Sequence, residues 1–352
     1  MAPTALDIQQ NVPLAPFTTL RIGGPARFFA RVTTESELVE AIAFARERKL
    51  PLFVLGGGSN LLVSDAGFDG LVIHIAIDGP IDITVEQDSI LYTVPAGVEW
   101  NAVVLSSAKQ ELSGIECLAG IPGSVGGTPV QNVGAYGQEV ADTIEEVRAF
   151  DLHSGHFVDI PRADCGFGYR RSIFNTTSRG RYIVTAVCFR FNFLKKVQLT
   201  YADLKHYFEK KQPAPIEVYR AVREIRRSKG MLIDGDDPDS RSAGSFFKNP
   251  TVPRGTLDRI ASELNIEPES IPRYPAGEDM VKLPAAWLLE RAGFVKGYVL
   301  GNVGISSRHT LALINRGEAS AADVFALRDT IRAKVKSIFG IELEQEPVQL
   351  GG

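Results

Sequence analysis

The stretch Leu55-Gly-Gly-Gly-Ser-Asn-Leu-Leu62 follows an apolar run, Leu52-Phe-Val-Leu55, that is typical of a buried strand. Two more glycine-rich stretches come before residue 140: Gly120-Ile-Pro-Gly-Ser-Val-Gly-Gly127 and Asn132-Val-Gly-Ala-Tyr-Gly137. Side chains are scarce in all three, so a ligand phosphate can approach the backbone and be held by peptide N–H groups. Each is flanked by apolar residues rather than by a polar linker, which favours extended dinucleotide binding over tight turns in a purely structural sheet.

The Rossmann fingerprint fails in the first stretch, although its glycines follow a strand. Leu61 stands where the third glycine of G-x-G-x-x-G belongs, and the next residues, Val63-Ser-Asp-Ala-Gly67, do not open an amphipathic helix. No G-x-x-x-x-G-K-[ST] sequence occurs either. The sequence therefore predicts phosphates held against loops, not at a helix N-terminus.

Length and composition indicate an ordinary globular protein. The chain has 352 residues, long enough for two or three domains, with 44% hydrophobic and 23% charged residues. Its formal net charge of -4 gives no general attraction to nucleic acid or to an anionic membrane surface. We therefore expect neither nucleic acid nor a membrane as a partner.

The N-terminus and the cysteines favour a cytoplasmic protein. Residues 1–10 have neither a basic start nor an apolar run, so neither secretion nor membrane insertion is predicted. Cys117, Cys165 and Cys188 are widely spaced and form no Cys-x-x-Cys pair, which predicts reduced and mostly buried thiols. The five histidines show no metal-ligand spacing, although His153 and His156 could pair on a loop, and we expect no metal.

The first half of the chain mixes helical and strand patterns. Phe28–Val32 reads as a strand, Thr34 and Glu37 form a capping box, and the apolar spacing after them predicts a helix to about Lys49. Short alternating runs then predict strands at 71–75, 83–86, 90–94 and 182–187. Together they predict a mixed sheet domain that reaches about Phe193.

A change of composition follows that domain. Residues 195–215 contain five lysines and two prolines and are predicted to be an exposed connection or an insertion. An amphipathic helix over 217–229 opens a second domain. In it, helices are predicted at 257–264, 285–292 and 321–339, and a strand at 310–314.

The segment Phe167-Gly-Tyr-Arg-Arg-Ser-Ile-Phe174 places a tyrosine and two arginines between a glycine and an apolar patch. An arginine stays charged at every working pH and can clamp a carboxylate or stabilise an enolate through two parallel hydrogen bonds. An arginine that holds a carboxylate inside the protein explains this segment equally well.

A serine between Gly244 and two aromatic residues is a candidate proton donor. Ser245 lies in Ser242-Ala-Gly-Ser-Phe-Phe-Lys-Asn-Pro250, and a hydroxyl in an apolar setting can protonate a carbanion when nearby cations make it more acidic. Phe247 occupies the place of the second glycine of G-x-S-x-G, so this is not a nucleophile elbow. An ordinary turn or capping serine is the alternative.

Two charged patterns complete the set of candidates. In Gly340-Ile-Glu-Leu-Glu-Gln-Glu-Pro-Val348, alternation sends the three glutamates to one face, which a solvated acidic edge also explains. Only a partner cation would give one of them a function, and Arg170 is a candidate. The basic set Arg223, Arg226, Arg227 and Lys229 either complements a helix C-terminus or binds a substrate diphosphate, with Lys229 the first choice as ligand.

These segments together resemble the UDP-N-acetylenolpyruvoylglucosamine reductase family, also called UDP-N-acetylmuramate dehydrogenases, of bacterial cell-wall synthesis. The resemblance covers nearly the whole chain. It is carried by Thr18-Thr-Leu-Arg-Ile-Gly-Gly24, the three glycine loops, Gly168-Tyr-Arg-Arg-Ser-Ile-Phe174, Ala243-Gly-Ser-Phe-Phe-Lys-Asn-Pro250, Lys282-Leu283 with Trp287, and Leu343-Glu-Gln-Glu-Pro347.

The resemblance implies an α+β fold. It comprises an N-terminal lead (1–20), an FAD-binding domain of the vanillyl-alcohol-oxidase (PCMH) type in two subdomains (21–194), a mobile loop (195–215), and a C-terminal α/β substrate domain (216–352). The last strand of that domain would return Glu346 to the active site. A cytoplasmic enzyme, active as a monomer, is expected.

The same resemblance implies the chemistry. NADPH would reduce non-covalently bound FAD, whose N5 would pass hydride to C3 of the enolpyruvyl ether of UDP-N-acetylglucosamine. Ser245 looks like the proton donor to C2, and Arg170 and Glu346 like the pair that stabilises the enol. Tyr169, Lys229 and Asn249 match substrate-binding positions, and Tyr201 is similar to the mobile-loop tyrosine that closes over the diphosphate in one subclass.

The cofactor-binding positions implied by the resemblance all lie in the glycine loops. They are Gly56, Gly57, Gly58, Ser59, Asn60, Leu61, Gly120, Ile121, Pro122, Gly123, Ser124, Gly126, Gly127, Asn132, Gly134, Ala135, Tyr136 and Gly137. None of these loops holds a Cys or His to bond the flavin. A flavin oxidase of the same domain type and a non-enzymatic nucleotide-binding protein remain as alternatives.

Overall fold

A computed structural model describes residues 6–193, 195–209 and 212–351. It leaves out residues 1–5 of the predicted lead, residue 194, residues 210–211 of the predicted mobile loop, and residue 352.

The described residues form twenty β-strands and seven α-helices. The strands are β1 (Ile8–Pro13), β2 (Pro25–Val32), β3 (Leu52–Leu55), β4 (Leu61–Val63), β5 (Phe68–Ile75), β6 (Asp82–Val85), β7 (Ser89–Pro95), β8 (Gly134–Ala135), β9 (Gln138–Glu139), β10 (Ile144–Asp151), β11 (His156–Pro161), β12 (Tyr182–Asn192), β13 (Ser242–Ser245), β14 (Thr251–Pro253), β15 (Tyr274–Pro275), β16 (Met280–Lys282), β17 (Val299–Leu300), β18 (Val303–Ile305), β19 (Ala312–Asn315) and β20 (Val348–Leu350). The helices are α1 (Glu35–Arg48), α2 (Trp100–Lys109), α3 (Ala202–Phe208), α4 (Pro215–Ser228), α5 (Thr256–Leu264), α6 (Ala285–Arg291) and α7 (Ala321–Phe339).

The chain divides into two compact units, each built from segments that are separate in sequence. The first unit comprises the segment up to Val12, Ala26–Gly58 and Asp69–Arg227, and the second comprises Pro13–Pro25, Ser59–Phe68 and the chain from Ser228 onward. The predicted domain boundaries, after residues 20, 194 and 215, divide the chain into contiguous pieces and stay predictions. The glycine loop after β3 therefore contributes to both units.

The first unit contains two sheets with a shared core. One sheet has the strand order β1-β2-β5-β3, and the other, antiparallel throughout, has the order β11-β10-β12-β7-β6. Tyr92, Trp100, Phe189 and Phe191 are the largest side chains of the core and are almost fully buried. Burying a side chain of this size stabilises the fold by about 1.5–3 kcal/mol.

Helix α1 begins where the capping box predicts. The Thr34 hydroxyl accepts a hydrogen bond from the Glu37 N–H at 3.1 Å, and the Glu37 carboxylate accepts from the Thr33 N–H at 2.5 Å. Orphan donors at the helix start are thereby satisfied. The helix ends at Arg48, and the next residue, Lys49, caps it in the left-handed conformation with φ 52°.

The second unit has a core of its own, around Phe246, Phe247, Ile331 and Phe339. Its main sheet has the strand order β13-β19-β18-β17, a smaller one the order β14-β16-β15, and β20 pairs with β4 in parallel. Helix α7 covers the predicted range and buries an apolar stripe at helical spacing, Val324, Leu327, Ile331, Val335 and Phe339.

The segment after β12 is more ordered than its composition predicts. Helix α3 lies inside the range 195–215 that the sequence indicates as an exposed connection. Val197 and Leu204 are buried in the core of the first unit. Two apolar residues at the right positions thus fix this segment, although lysines dominate its composition.

Candidate active site

The first two glycine loops meet backbone to backbone in the first unit. A Cβ atom at Gly57 would lie 2.5 Å from the Cα of Gly123, and one at Gly56 would lie 2.9 Å from the hydroxyl of Ser124. A side chain at Gly57 would therefore push the loops apart. After Gly58 the chain enters β4, not a helix, which confirms that no helix N-terminus follows this loop.

The hydroxyl of Ser124 identifies a place for a polar ligand. It is buried, and among the described residues it has no hydrogen-bond partner. A buried hydroxyl without a partner costs about 1–3 kcal/mol, which a ligand oxygen can offset. An added Cβ at nearby Gly127 would meet no atom within 4 Å, so the loop is open there. These loops fit a cofactor with phosphate or hydroxyl groups.

Asn132, at the start of the third glycine loop, uses its side chain inside the first unit. Its amide donates to the Glu139 carboxylate at 2.7 Å and to the Gly168 carbonyl at 3.0 Å, and its side-chain oxygen accepts from the Ala141 N–H at 3.1 Å. The residue is fully buried and has φ 45°. The side chain thus shapes the loop that carries Gly134 and Ala135, and the part of Asn132 in cofactor binding stays a prediction.

Arg170 sits at a tight turn against this third loop. Gly168 and Arg171 exchange two backbone hydrogen bonds, and between them Arg170 adopts φ 55°, a left-handed conformation that costs a non-glycine residue about 1–2 kcal/mol. Its guanidinium donates to the Gly134 carbonyl at 2.7 Å and lies 5.4 Å from the ring of Tyr169, which is exposed. A strained backbone that fixes an arginine is typical of a functional site.

The end of the third loop contacts the predicted mobile segment. The rings of Tyr136 and Tyr201 pack edge to face, with centroids 5.3 Å apart. A Cβ at Gly137 would lie 1.9 Å from the hydroxyl of Thr200, so only glycine allows this approach. Residues 200–201 are thereby seated on a predicted cofactor loop.

Arg226 joins the second glycine loop to the third. The sequence did not predict this connection. It is buried, its Nε donates to the Gly120 carbonyl at 3.2 Å, and its guanidinium also bonds the Tyr136 hydroxyl. Burial lowers the pKa of Arg226, and the contact with Tyr136 offsets part of that effect. The sequence signal for its burial was its position four residues after Val222, which places it on the apolar side of α4.

In the second unit, Ser245 and Glu346 lie on paired segments. The Glu346 N–H donates to the Phe246 carbonyl at 2.9 Å, and the Lys248 N–H donates to the Glu344 carbonyl at 2.9 Å. Ser245 ends β13 after a register shift against β19, with Gly244 at φ 73°. Such a bulge re-aims the side chain that follows it.

The end of the first glycine loop lies beside the same acidic segment. The Asn60 amide donates to the Glu346 carbonyl at 3.4 Å, and the Val348 N–H donates to the Asn60 carbonyl at 2.9 Å. Within the second unit the fold thus brings together Asn60, Glu346 and the strand of Ser245. The alternation predicted for 341–346 is present over 341–344, where Ile341 and Leu343 are buried and Glu342 and Glu344 exposed, but it ends there, since Gln345 and Glu346 are both half-buried.

Lys229 follows the end of α4, next to a network of charges. An added Cβ at Gly230 would lie 3.0 Å from the guanidinium of Arg308, which forms ion pairs with Asp237 and Asp239. Desolvation raises the pKa of the buried Asp239, but hydrogen bonds from Ser307, Ser306 and Arg308 outweigh it, and the pKa is lowered overall. The network thus lies against Gly230, the residue after Lys229.

Asn249 has a structural contact besides its predicted one. Its side-chain oxygen accepts from the Ala285 N–H at 2.9 Å, at the first residue of α6. The side chain thereby caps a helix whose preceding residue, Pro284, provides no side-chain cap. The amide NH2 group can then donate to a ligand while the oxygen holds the start of α6.

The cysteines give the site no reactive thiolate. All three cysteines are free and buried, as predicted, and burial raises the pKa of the Cys165 thiol to about 12. Within the described ranges, no cluster of three or more His, Cys, Asp or Glu residues could hold a metal ion. No helix in the described part of the chain is long and apolar enough to cross a membrane.

Comparison with known proteins identifies both units. Residues 26–160 match the model of an FAD binding domain, and residues 237–350 match that of the UDP-N-acetylenolpyruvoylglucosamine reductase C-terminal domain. The reductase of that name from Thermobifida fusca is 45% identical over 97% of this chain and 98% of its own, and that from Streptomyces coelicolor is 43% identical over 97% and 90%. The crystal structure of the Thermus caldophilus enzyme aligns with a TM-score of 0.65 and 29% identity, over 98% of this chain and 100% of that one.

The cofactor loops and these matches define an FAD-dependent oxidoreductase of α+β fold, which confirms the predicted fold class and the FAD cofactor. The chain belongs to the UDP-N-acetylenolpyruvoylglucosamine reductase family. The predicted resemblance is therefore confirmed. As a member of this family the chain is an enzyme, so the non-enzymatic alternative is wrong.

Proposed function

We propose that this enzyme reduces UDP-N-acetyl-3-O-(1-carboxyvinyl)glucosamine to UDP-N-acetylmuramate with NADPH, in the synthesis of peptidoglycan precursors. The observation that carries the proposal is the pairing of the Glu346 segment with the strand that ends at Ser245. This pairing places a carboxyl group and a hydroxyl on neighbouring segments of the second unit. FAD, held by the glycine loops, would supply the redox chemistry, which is the transfer of a hydride from NADPH to C3 of the substrate by way of the flavin N5.

The residues of this chain handle the charge and the proton. Hydride addition at C3 leaves negative charge on C2 and its carboxylate, and Arg170 is the cation that stabilises it. Its hydrogen bond to Gly134 holds the guanidinium in place before the reaction, so little reorganisation is needed. Glu346 acts with Arg170 on the enol, and Ser245 delivers its hydroxyl proton to C2.

Substrate binding falls to residues outside this catalytic group. Lys229 supplies a positive charge for the diphosphate, and Tyr201 supplies a hydroxyl from the segment seated on Gly137. Tyr169 lies beside Arg170 and is exposed, which suits contact with a ligand. Asn249 contributes its amide donor, since its oxygen caps α6.

Reduction in an anaerobic cuvette tests this function against the flavin oxidase alternative. NADPH should bleach the visible flavin absorbance, and the enolpyruvyl substrate should restore it while UDP-N-acetylmuramate forms in equal amount. Bleaching by a different donor, with recovery only on admission of oxygen, would contradict the proposal. We further propose that the enzyme acts in the cytoplasm and that it is a monomer. Sedimentation at working concentration checks the monomer, and cell fractionation checks the location.

A further inference from the structure

The motif Thr18-Thr-Leu-Arg-Ile-Gly-Gly24 has no part in the chemistry proposed so far, yet it contacts the strand of the candidate proton donor. Within the second unit the Thr19 hydroxyl donates to the Ser242 carbonyl at 2.6 Å, across 223 positions of sequence. The Ser59 carbonyl lies 3.5 Å from the same hydroxyl. Thr19 thus lies between the end of the first glycine loop and the start of β13.

The main chain around Thr19 is anchored firmly enough to fix a neighbour. Leu20 is fully buried, and its carbonyl accepts from the Asn315 amide at 3.0 Å. Asn315 ends β19, the strand that pairs with β13. The Gly24 N–H donates to the Ser64 carbonyl at 2.8 Å. The motif therefore holds both strands of the pair that carries Ser245.

We propose that Thr19 is a positioning residue that sets the aim of Ser245, an inference that rests on the proposed role of Ser245. Ser242 is the last regular position before the bulge, and Gly244 within the bulge has φ 73°. On its far side Ser245 is held by the bond from the Phe246 N–H to the Leu311 carbonyl at 2.8 Å. On its near side a glycine can turn readily, so the direction of Ser245 depends on how the start of the bulge is held. The Thr19 hydroxyl fixes the start of the bulge.

Thr18 provides a matched control. It is the same residue type, next in sequence and more deeply buried, but its hydroxyl bonds within its own turn: it donates to the carbonyls of Ala15 and Ile22 and accepts from the Ile22 N–H at 3.4 Å. Thr18→Val and Thr19→Val each remove one hydroxyl and keep the shape of the side chain. Only the second removes a contact with β13.

The experiment follows the two half-reactions of the FAD-loaded enzyme by stopped flow, with Ser245→Ala as reference. Thr19→Val should slow reoxidation by the enolpyruvyl substrate roughly 10-fold to 100-fold, since a small displacement of a reacting group costs that much. Flavin reduction by NADPH should stay within about twofold of the parent rate, because Ser245 takes no part in that half-reaction and its displacement has no effect there. Thr19→Ser should recover most of the rate, and Thr18→Val should reoxidise like the parent.

The outcomes separate this inference from the proposed function. If Ser245→Ala slows reoxidation and Thr19→Val does not, the positioning role is wrong and the role of Ser245 stands. If Ser245→Ala itself reoxidises at the parent rate, the proposed proton donor is wrong. Equal slowing of both half-reactions by Thr19→Val, or no recovery in Thr19→Ser, would reduce Thr19 to a structural residue.

Discussion

The main-chain N–H of Glu346 donates to the carbonyl of Phe246 at 2.9 Å, so Glu346 and the residue after Ser245 are joined through backbone atoms. The pairing does not depend on the side chains of Ser245 or Glu346. Substituting either side chain should therefore leave the two segments in place. Kinetic effects of such variants can then be assigned to the chemistry.

Gly244→Ala should misdirect Ser245 without disturbing its surroundings. The added Cβ meets no atom within 4 Å, so the change acts through φ 73°, where a side chain costs about 1–2 kcal/mol. We expect roughly tenfold slower reoxidation of the reduced enzyme by substrate, with flavin reduction by NADPH unchanged. Gly297→Ala, at φ 80° with equal space, is the control for strain alone. Reoxidation at the parent rate in Gly244→Ala would show that the bulge does not set the proton donor.

The segment of Tyr201 should govern substrate affinity. Tyr201→Phe keeps the ring contact with Tyr136 and loses only the hydroxyl, which should raise KM about tenfold, the equivalent of one hydrogen bond to a charged group. KM should change more than kcat, because a bond to the diphosphate is similar in the ground and transition states. Gly137→Ala should raise KM at least as much by displacing Thr200, whereas Gly155→Ala, also at positive φ, should not. A loss confined to kcat in Tyr201→Phe would contradict this.

Local signals in the sequence predicted much of the fold. The N-cap at Thr34, the apolar spacing of α7 and the missing helix after Gly58 all depend on residues close in sequence, and the structure confirms each. The Glu37 side chain of the predicted capping box bonds the Thr33 N–H. The glycine loops were recognisable because only a backbone that must meet another backbone or a ligand needs so many glycines.

The candidate site was predictable in its residue types and not in its connections. The contact of Thr19 with Ser242 spans 223 positions, and the burial of Arg226 depends on two loops more than 80 residues away in sequence. The side chains of Asn132 and Asn249 match a ligand-binding pattern, yet each also bonds the protein itself. Such pairings follow from tertiary packing, on which sequence periodicity carries no information.

The Asp239 carboxylate should stabilise the second unit in its charged form. The pKa of Asp239 is lowered in the folded protein. Its contribution to the free energy of unfolding is therefore complete above pH 3.8, the ordinary pKa, and is lost as the pH falls through the lowered pKa. Asp239→Asn should reduce the free energy of unfolding at pH 7 by about 1–3 kcal/mol. Urea unfolding from pH 7 to 3 should show this difference constant down to about pH 4, with the exposed Asp236→Asn as control. A difference that already vanishes at about pH 5 would mean that the pKa is raised instead.

The flavin should be released by acid. The glycine loops contain no Cys or His, and burial raises the pKa of the Cys117, Cys165 and Cys188 thiols, which keeps them from forming the nucleophilic thiolate. Acid precipitation of the holoenzyme should leave a yellow supernatant over a colourless pellet. Colour retained in the pellet after washing would establish a covalent bond.

Stopped-flow absorbance of Ser245→Ala tests the proposed chemistry most directly, because NADPH reduces the flavin without any proton donated to a substrate carbon. The account predicts flavin reduction close to the parent rate, reoxidation by the enolpyruvyl substrate slower by at least roughly 10²-fold, and partial recovery in Ser245→Cys, whose thiol also carries a proton. Reoxidation of Ser245→Ala at the parent rate would show that Ser245 is a structural serine and that the proton comes from another group.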